Sequence, residues 1–170
     1  MGLRCSQQEY KGIVINCPYK LVVFDLDFTL WDAGGLWCDH LSAPFEKRHG
    51  KVFDQRGREV RLYEGVREIL HQLDVHQIPM AVASKTMEAS WADELLKLHE
   101  IAHYFQVKEM YPLSKVNHFR VIHEITQIDY EDMIFFDDEY GNIVDVSALG
   151  VNCVHLTDGL TESIFRTKIS

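Results

Sequence analysis

Asp25 and Asp27 stand one residue apart at the end of the apolar run Leu21-Val22-Val23-Phe24, and Thr29 adds a hydroxyl two positions further on. An apolar run of this kind, rich in β-branched residues, predicts a buried parallel strand, so both acids fall where that strand ends. In an open α/β sheet the crevice beyond the carboxyl ends of the strands receives ligands, because backbone groups there lack a sheet partner. Two carboxylates held in such a crevice repel each other and stay partly protonated unless a cation neutralises them. The pair therefore asks for a divalent metal. The plainer role of capping a turn suits them badly, since acids placed directly after an apolar strand carry a desolvation cost that a cap does not require.

Polar groups recur at the ends of later strands. Met80-Ala81-Val82-Ala83 runs into Ser84, Lys85 and Thr86; Lys115 opens a helix shortly after the extended stretch from Phe105 to Tyr111; and Met133-Ile134-Phe135-Phe136 ends in Asp137, Asp138 and Glu139. Parallel strands bring these ends to one edge of the sheet. Each has a competing structural role: Ser84 could cap the next helix, Lys115 could be a solvated first-turn residue, although the helix dipole disfavours lysine there, and Asp137-Asp138-Glu139 could be an exposed turn. Lys85 and Thr86 could touch substrate or lie on the surface, and Asn142 could orient the Asp137 side or simply start a helix. Taken together, the two acidic clusters, the hydroxyl and the ammonium suit a phosphoryl group held between Mg²⁺ and lysine.

The elements that must position these groups alternate between strand and helix. Val66, Ile69, Leu70 and Leu73 recur at helical spacing between Glu64 and Gln77, and Pro79 ends that helix. Trp91, Leu95 and Leu98 form the stripe of a second helix, and Val116, Phe119, Ile122 and Ile125 the buried face of a third. A further helix runs from about Asn142 to Gly150, and Val151 to Leu156 is a last strand. This order predicts an α/β fold with a doubly wound parallel sheet. Lys51 to Tyr63 reads as a β-hairpin about Gly57, outside the main sheet. Residues 1–19 are expected to be a leader with a short edge strand at Ile13-Val14-Ile15, residues 20–170 the domain itself, and residues 32–63 an insert.

The chain of 170 residues, 46% of them hydrophobic, fits one domain with a real core. Its net charge of −9 argues against binding through nucleic-acid phosphates. Cys5, Cys17, Cys38 and Cys153 form no C-x-x-C pair, which points to reduced thiols and a cytoplasmic setting. The nine histidines include no H-x-H or H-E-x-x-H arrangement, which argues against zinc. No apolar run approaches the roughly 20 residues that span a bilayer, so no stable membrane insertion is expected. The opening Met1-Gly2-Leu3-Arg4-Cys5-Ser6 does fit the short pattern for N-myristoylation at Gly2.

With four motifs in order, the chain resembles the haloacid dehalogenase superfamily. Asp25-Leu26-Asp27-Phe28-Thr29 matches its first motif, Ser84 its second, Lys115 its third and Asp137-Asp138 its fourth. More finely, Phe-Asp-Leu-Asp-Phe-Thr-Leu-Trp, Arg-Gly-Arg-Glu-Val-Arg-Leu-Tyr, Tyr-Pro-Leu-Ser-Lys and Phe-Phe-Asp-Asp-Glu resemble the magnesium-dependent phosphatases, also called fructosamine-6-phosphate phosphatases. Phe28 departs from the tyrosine expected there. The resemblance implies that Asp25 is the nucleophile and Asp27 the acid and base. It implies that Thr29, Ser84, Lys85 and Lys115 bind phosphate, and that Asp25, Asp27 through its carbonyl, Asp137 and Asp138 hold Mg²⁺. It also implies a phosphorylated small molecule or phosphoprotein as substrate.

The presence of Asp27 favours phosphoryl transfer over dehalogenation, which has no leaving oxygen to protonate. No cysteine has arginine six positions later, which excludes the loop of thiol phosphatases. A receiver domain carries its acidic pair at the first strand and its phosphoacceptor in mid-chain, whereas here the second acidic cluster comes last. The intervals between motifs hold no large cap, so the site should be open, with Trp37, Phe45, Phe53 and Tyr63 as possible contacts or as local packing. A non-catalytic module binding phosphorylated ligands and a phosphotransferase to a second acceptor are the alternatives.

Overall fold

Leu21–Phe24 forms β1, and all four of its side chains are buried, as a strand covered on both faces requires. The computed structural model describes residues 16–169. Along the chain follow β2 (Trp31–Asp32), β3 (Glu46–Arg48), β4 (Lys51–Phe53), β5 (Glu59–Leu62), α1 (Val66–Val75), β6 (Met80–Ser84) and α2 (Ala89–Leu98). The second half contains β7 (Phe105–Met110), α3 (Lys115–Thr126), β8 (Met133–Asp137), α4 (Tyr140–Ser147), β9 (Asn152–His155) and α5 (Glu162–Ile169).

Among the described residues the main sheet has five parallel strands in the order β7-β6-β1-β8-β9. From β1 the chain builds outward through β6 and β7, then crosses back to lay down β8 and β9 on the other side. β1 is thus the switch point of a doubly wound sheet, where the crevice opens. Alternate residues face opposite ways. Val22, Phe24, Met80, Val82, Ile134 and Phe136 pack with α1, α2 and α5. Leu21, Val23, Ala81, Ala83, Met133 and Phe135 pack with Phe119 and Ile122 of α3 and Val146 of α4.

The α1 stripe is buried as expected, and α1 gives way to Gln77 in the left-handed region (φ 57°) ahead of Pro79. α3 is rotated from expectation. Its inward face carries Lys115, His118, Phe119 and Ile122, while Ile125 is 59% exposed. The reason is Lys115: two carboxylates draw its side chain under the strand ends, and the i, i+3, i+4, i+7 face then starts from that residue. In α2 the fully buried residues are Ala92, Leu95 and Leu96. Trp91 and Leu98 sit at the margin of that core, with Trp91 edge-on to Phe45 at 5.7 Å.

The hairpin is present, with β4 and β5 antiparallel and its turn fixed by buried Asp54. That carboxylate accepts the backbone N–H of Arg56 and of Arg58 at 3.0 and 2.8 Å and the Arg58 Nε–H at 2.8 Å. It belongs to a larger element than expected, an antiparallel sheet that among the described residues has four strands in the order β2-β5-β4-β3. α5 is also additional, burying Phe165 and Ile169. The expected strand at Ile13-Val14-Ile15 and the Gly2 pattern lie outside the described residues. Among the described residues Cys17, Cys38 and Cys153 are unpaired. No helix among the described residues is long and apolar enough to cross a membrane.

Candidate active site

β1, β6 and β8 end side by side, and the polar residues at their ends meet there. Lys115, at the first position of α3, reaches across: its Nζ donates to Asp25 Oδ1 at 2.7 Å, lies 3.1 Å from Asp137 Oδ2, and donates to the Ala83 carbonyl. All three ammonium protons are thereby satisfied in a side chain only 1% exposed. Asp137 is fixed from the other side by Asn142 of α4, whose Nδ2 donates at 3.2 and 3.0 Å to its two oxygens, and by the Glu139 backbone N–H at 2.6 Å.

Asp27 lies on the loop after β1. Three successive N–H groups, those of Thr29, Leu30 and Trp31, turn toward the Leu26 carbonyl, and Phe28 takes a left-handed conformation (φ 56°). For a bulky residue that conformation costs on the order of 1–3 kcal/mol. The Asp27 carboxylate accepts the Trp31 indole N–H at 2.7 Å and the Cys38 backbone N–H at 3.0 Å.

These groups line an open cleft of about 220 Å³, with Asp25, Asp27, Ser84, Lys85 and Lys115 on its wall together with Trp37, Asp39, Thr86 and Glu139. Lys85 is paired with Glu139 at 2.7 Å across its rim. Ser84 is buried, and its Oγ lies 3.4 Å from the Thr86 N–H. Thr29 stands apart. It is fully buried, its hydroxyl has no partner among the described residues, and it is not part of the cleft wall; the left-handed turn at Phe28 takes it out of line with the two aspartates. Of the four aromatics, only Trp37 lines the cleft. Phe45 packs on Trp91, Phe53 lies under the Arg48 guanidinium, and Tyr63 borders a neighbouring depression with Phe28, Asp138 and His155.

The electrostatics favour a cation. Burial pushes the carboxyls of Asp25, Asp27, Asp137 and Asp138 each up to about 6. Lys115 pulls against this at Asp25, and the Asp25 charge adds to it at Asp137. Burial works against the Lys115 ammonium, but Asp25 and Asp137 outweigh it and hold its pKa above the ordinary value. One ammonium cannot balance four acids. Asp25, Asp137 and Asp138 each offer an oxygen within 4.8 Å of the others, an all-oxygen donor set that fits a hard divalent ion. The Asp27 carboxylate is not part of that cluster.

Trp31, Cys38 and Asn142 complete the site. Trp31 and Cys38 carry no signal of their own in the sequence, because an indole in an apolar run reads as core and a backbone N–H is the same in every residue but proline. Asn142 is better marked, five positions after Asp137 at the start of a helix.

The acid phosphatase family matches residues 18–170. Human magnesium-dependent phosphatase 1 is 48% identical over 143 residues, covering 83% of this chain and 80% of the relative. A HAD-like hydrolase superfamily protein of Schizosaccharomyces pombe is 37% identical over 145 residues, covering 78% and 82%. A haloacid dehalogenase-like hydrolase of Streptococcus pneumoniae shares the fold, with a TM-score of 0.61 at 15% identity over 85% of this chain and 89% of its own. On these grounds the chain is a phosphatase and belongs to the acid phosphatase family, among the magnesium-dependent phosphatases of the haloacid dehalogenase superfamily.

Proposed function

We propose that this phosphatase hydrolyses phosphomonoesters through an aspartyl-phosphate on Asp25, with Asp27 as proton donor and then acceptor. The observation that carries this reading is the placement of Asp25: bonded to Lys115, beside Asp137 and Asp138, and facing the same open cleft as Asp27.

Mg²⁺ is the cofactor, and Asp25, Asp137 and Asp138, together with the Asp27 backbone carbonyl, would hold it. When bound, the ion offsets negative charge on the phosphoryl oxygens and on the nucleophile. Lys115 adds a fixed positive charge, so that one anion can approach another. Asp25 attacks phosphorus as the ester oxygen departs, and Asp27 protonates that oxygen. As a carboxylate, Asp27 then takes a proton from the water that attacks the phosphoryl group, which releases phosphate and restores Asp25. Ser84 donates to a phosphoryl oxygen. Lys85 does so on release from Glu139. Thr29, sealed from the cleft, takes no part in phosphate binding.

The open cleft admits either a phosphotyrosine side chain or a sugar phosphate such as fructosamine 6-phosphate. The cytoplasm suits its unpaired thiols. Purified protein is expected to hydrolyse an aryl phosphate with Mg²⁺, to lose that activity in EDTA and to regain it on adding Mg²⁺. Asp25→Asn is expected to be inactive with the fold intact by circular dichroism; substantial turnover by that variant would overturn the reading. Phosphotyrosine peptides, sugar phosphates and fructosamine phosphates assayed together rank the substrates, and an added alcohol acceptor detects transfer.

A further inference from the structure

We propose that the Trp31 indole is a positioning residue for proton delivery, holding Asp27 so that its proton faces the cleft and the departing oxygen. This rests on the reading of Asp27 as the acid. Its carboxyl accepts two hydrogen bonds among the described residues, one per oxygen: Trp31 Nε1–H on Oδ1 at 2.7 Å and the Cys38 backbone N–H on Oδ2 at 3.0 Å. Both partners are donors with no lone pair to offer in return. A buried carboxylic acid ordinarily settles its proton on a neighbouring acceptor, where it is lost to catalysis. Here neither hydrogen-bond partner can take it, and the carboxylates of Asp39 and Asp138, which act on Asp27 through their charge, make no hydrogen bond to it among the described residues.

The same two bonds fix the plane of the group. Rotation about the Cβ–Cγ bond would break both at once, so the lone pairs that remain keep their direction into the cleft. Trp31 is itself held from several sides. It is fully buried, its β2 backbone pairs with Leu62 of β5, its carbonyl accepts the Phe28 N–H at 2.8 Å, and its ring stacks with His99 at 6.1 Å and 24°. Cys38 comes from a separate turn of the insert, Cys38–His40.

The step balances as follows. An Asp25 oxygen forms a bond to phosphorus, the P–O ester bond breaks, and its electron pair goes to the leaving oxygen, which takes the Asp27 proton. Asp27 is left as a carboxylate, and hydrogen bonds to a charged acceptor are roughly twice as strong as neutral ones. Both donors therefore stabilise the product of proton transfer more than its reactant. An ester whose leaving group needs a proton gains from this, and one that departs readily as an anion gains little.

The test measures kcat/KM, which reports the steps through phosphorylation of Asp25, for esters running from dinitrophenyl phosphate to alkyl phosphates. Wild type is compared with Trp31→Phe and with a protein carrying benzothienylalanine at position 31, in which sulfur replaces the ring N–H in a side chain of nearly the same shape. Both substitutions are expected to lower alkyl phosphate turnover by about tenfold to a hundredfold, the weight of one hydrogen bond to a charged group. Dinitrophenyl phosphate is expected to change by less than about threefold. An equal loss across the series, or no loss, in the benzothienylalanine protein would assign Trp31 to packing alone and overturn the proposal, even where Trp31→Phe unfolds. Asp27→Asn is run in parallel. A flat leaving-group profile there removes the acid assignment and this inference with it; a steep Asp27→Asn profile beside flat Trp31 profiles removes only the role of the indole.

Discussion

Lys115 joins Asp25 to Asp137, and its removal would leave two buried carboxylates facing each other. Breaking one side of a buried charge group typically costs about 3–5 kcal/mol. Lys115→Met is therefore expected to lose stability on that scale in urea unfolding without divalent metal, to recover part of it in saturating Mg²⁺, and to lose turnover in both conditions. An unchanged unfolding midpoint without metal would show that the acids are protonated and do not need the ammonium. Lys115 was legible from its place after a strand, as were Asp25, Asp27, Ser84 and Asp137, because the ends of parallel strands necessarily share an edge. Thr29 was misplaced for a physical reason: side-chain direction follows simple alternation only while the strand lasts, and the turn at Phe28 breaks it. The Trp31 donor was hidden for a different reason, since residue type reports apolar surface well and the aim of a single N–H poorly.

Among the elements, the insert and α2 meet at His99, which follows α2 and stacks on Trp31. Burial lowers the pKa of His99 and of His118 on α3 to about 4, so the folded chain holds both rings neutral. The unfolded chain binds their protons near the ordinary value of 6.5. Stability from these rings is thus fully present above about 6.5, falls as the pH drops and is exhausted below about 4, each ring contributing on the order of a few kcal/mol. The four acids raised to about 6 act in the opposite sense over this range, since the folded chain takes up their protons before the unfolded one, so the ring is read by difference. Between pH 7 and 5 the urea midpoint of His99→Phe, which retains the ring stack, is expected to move in the stabilising direction relative to wild type, and an identical change in the two proteins would contradict the assignment. The helices and parallel strands were legible from apolar periodicity. β3 was not, because all three of its residues, Glu46, Lys47 and Arg48, are charged and exposed, and its strand form comes from pairing with β4. The face of α3 was misjudged at Ile125 because the buried lysine, unlike its apolar neighbours, gives no signal in a hydrophobic pattern.

Across the whole molecule, the carboxylate cluster ties the N-terminal strand of the sheet to a strand from the last third of the chain. A ligand that binds only the folded chain stabilises it by about 3 kcal/mol at a hundred times its Kd. Mg²⁺ at that excess is expected to raise the Tm by several degrees, and Asp137→Asn to abolish the rise; a full shift in that variant would place the ion elsewhere. β1 occupies the middle of the sheet with β6 on one side and β8 on the other, and this order sets a timetable during synthesis. Until the ribosome has released residue 137, β1 lacks its second neighbour and exposes an apolar edge, a state open to mispairing with other chains. A product cut short before β8 would be a sticky fragment with no capacity for turnover, so the appearance of activity on a translating chain would mark the moment at which the last central strand docks.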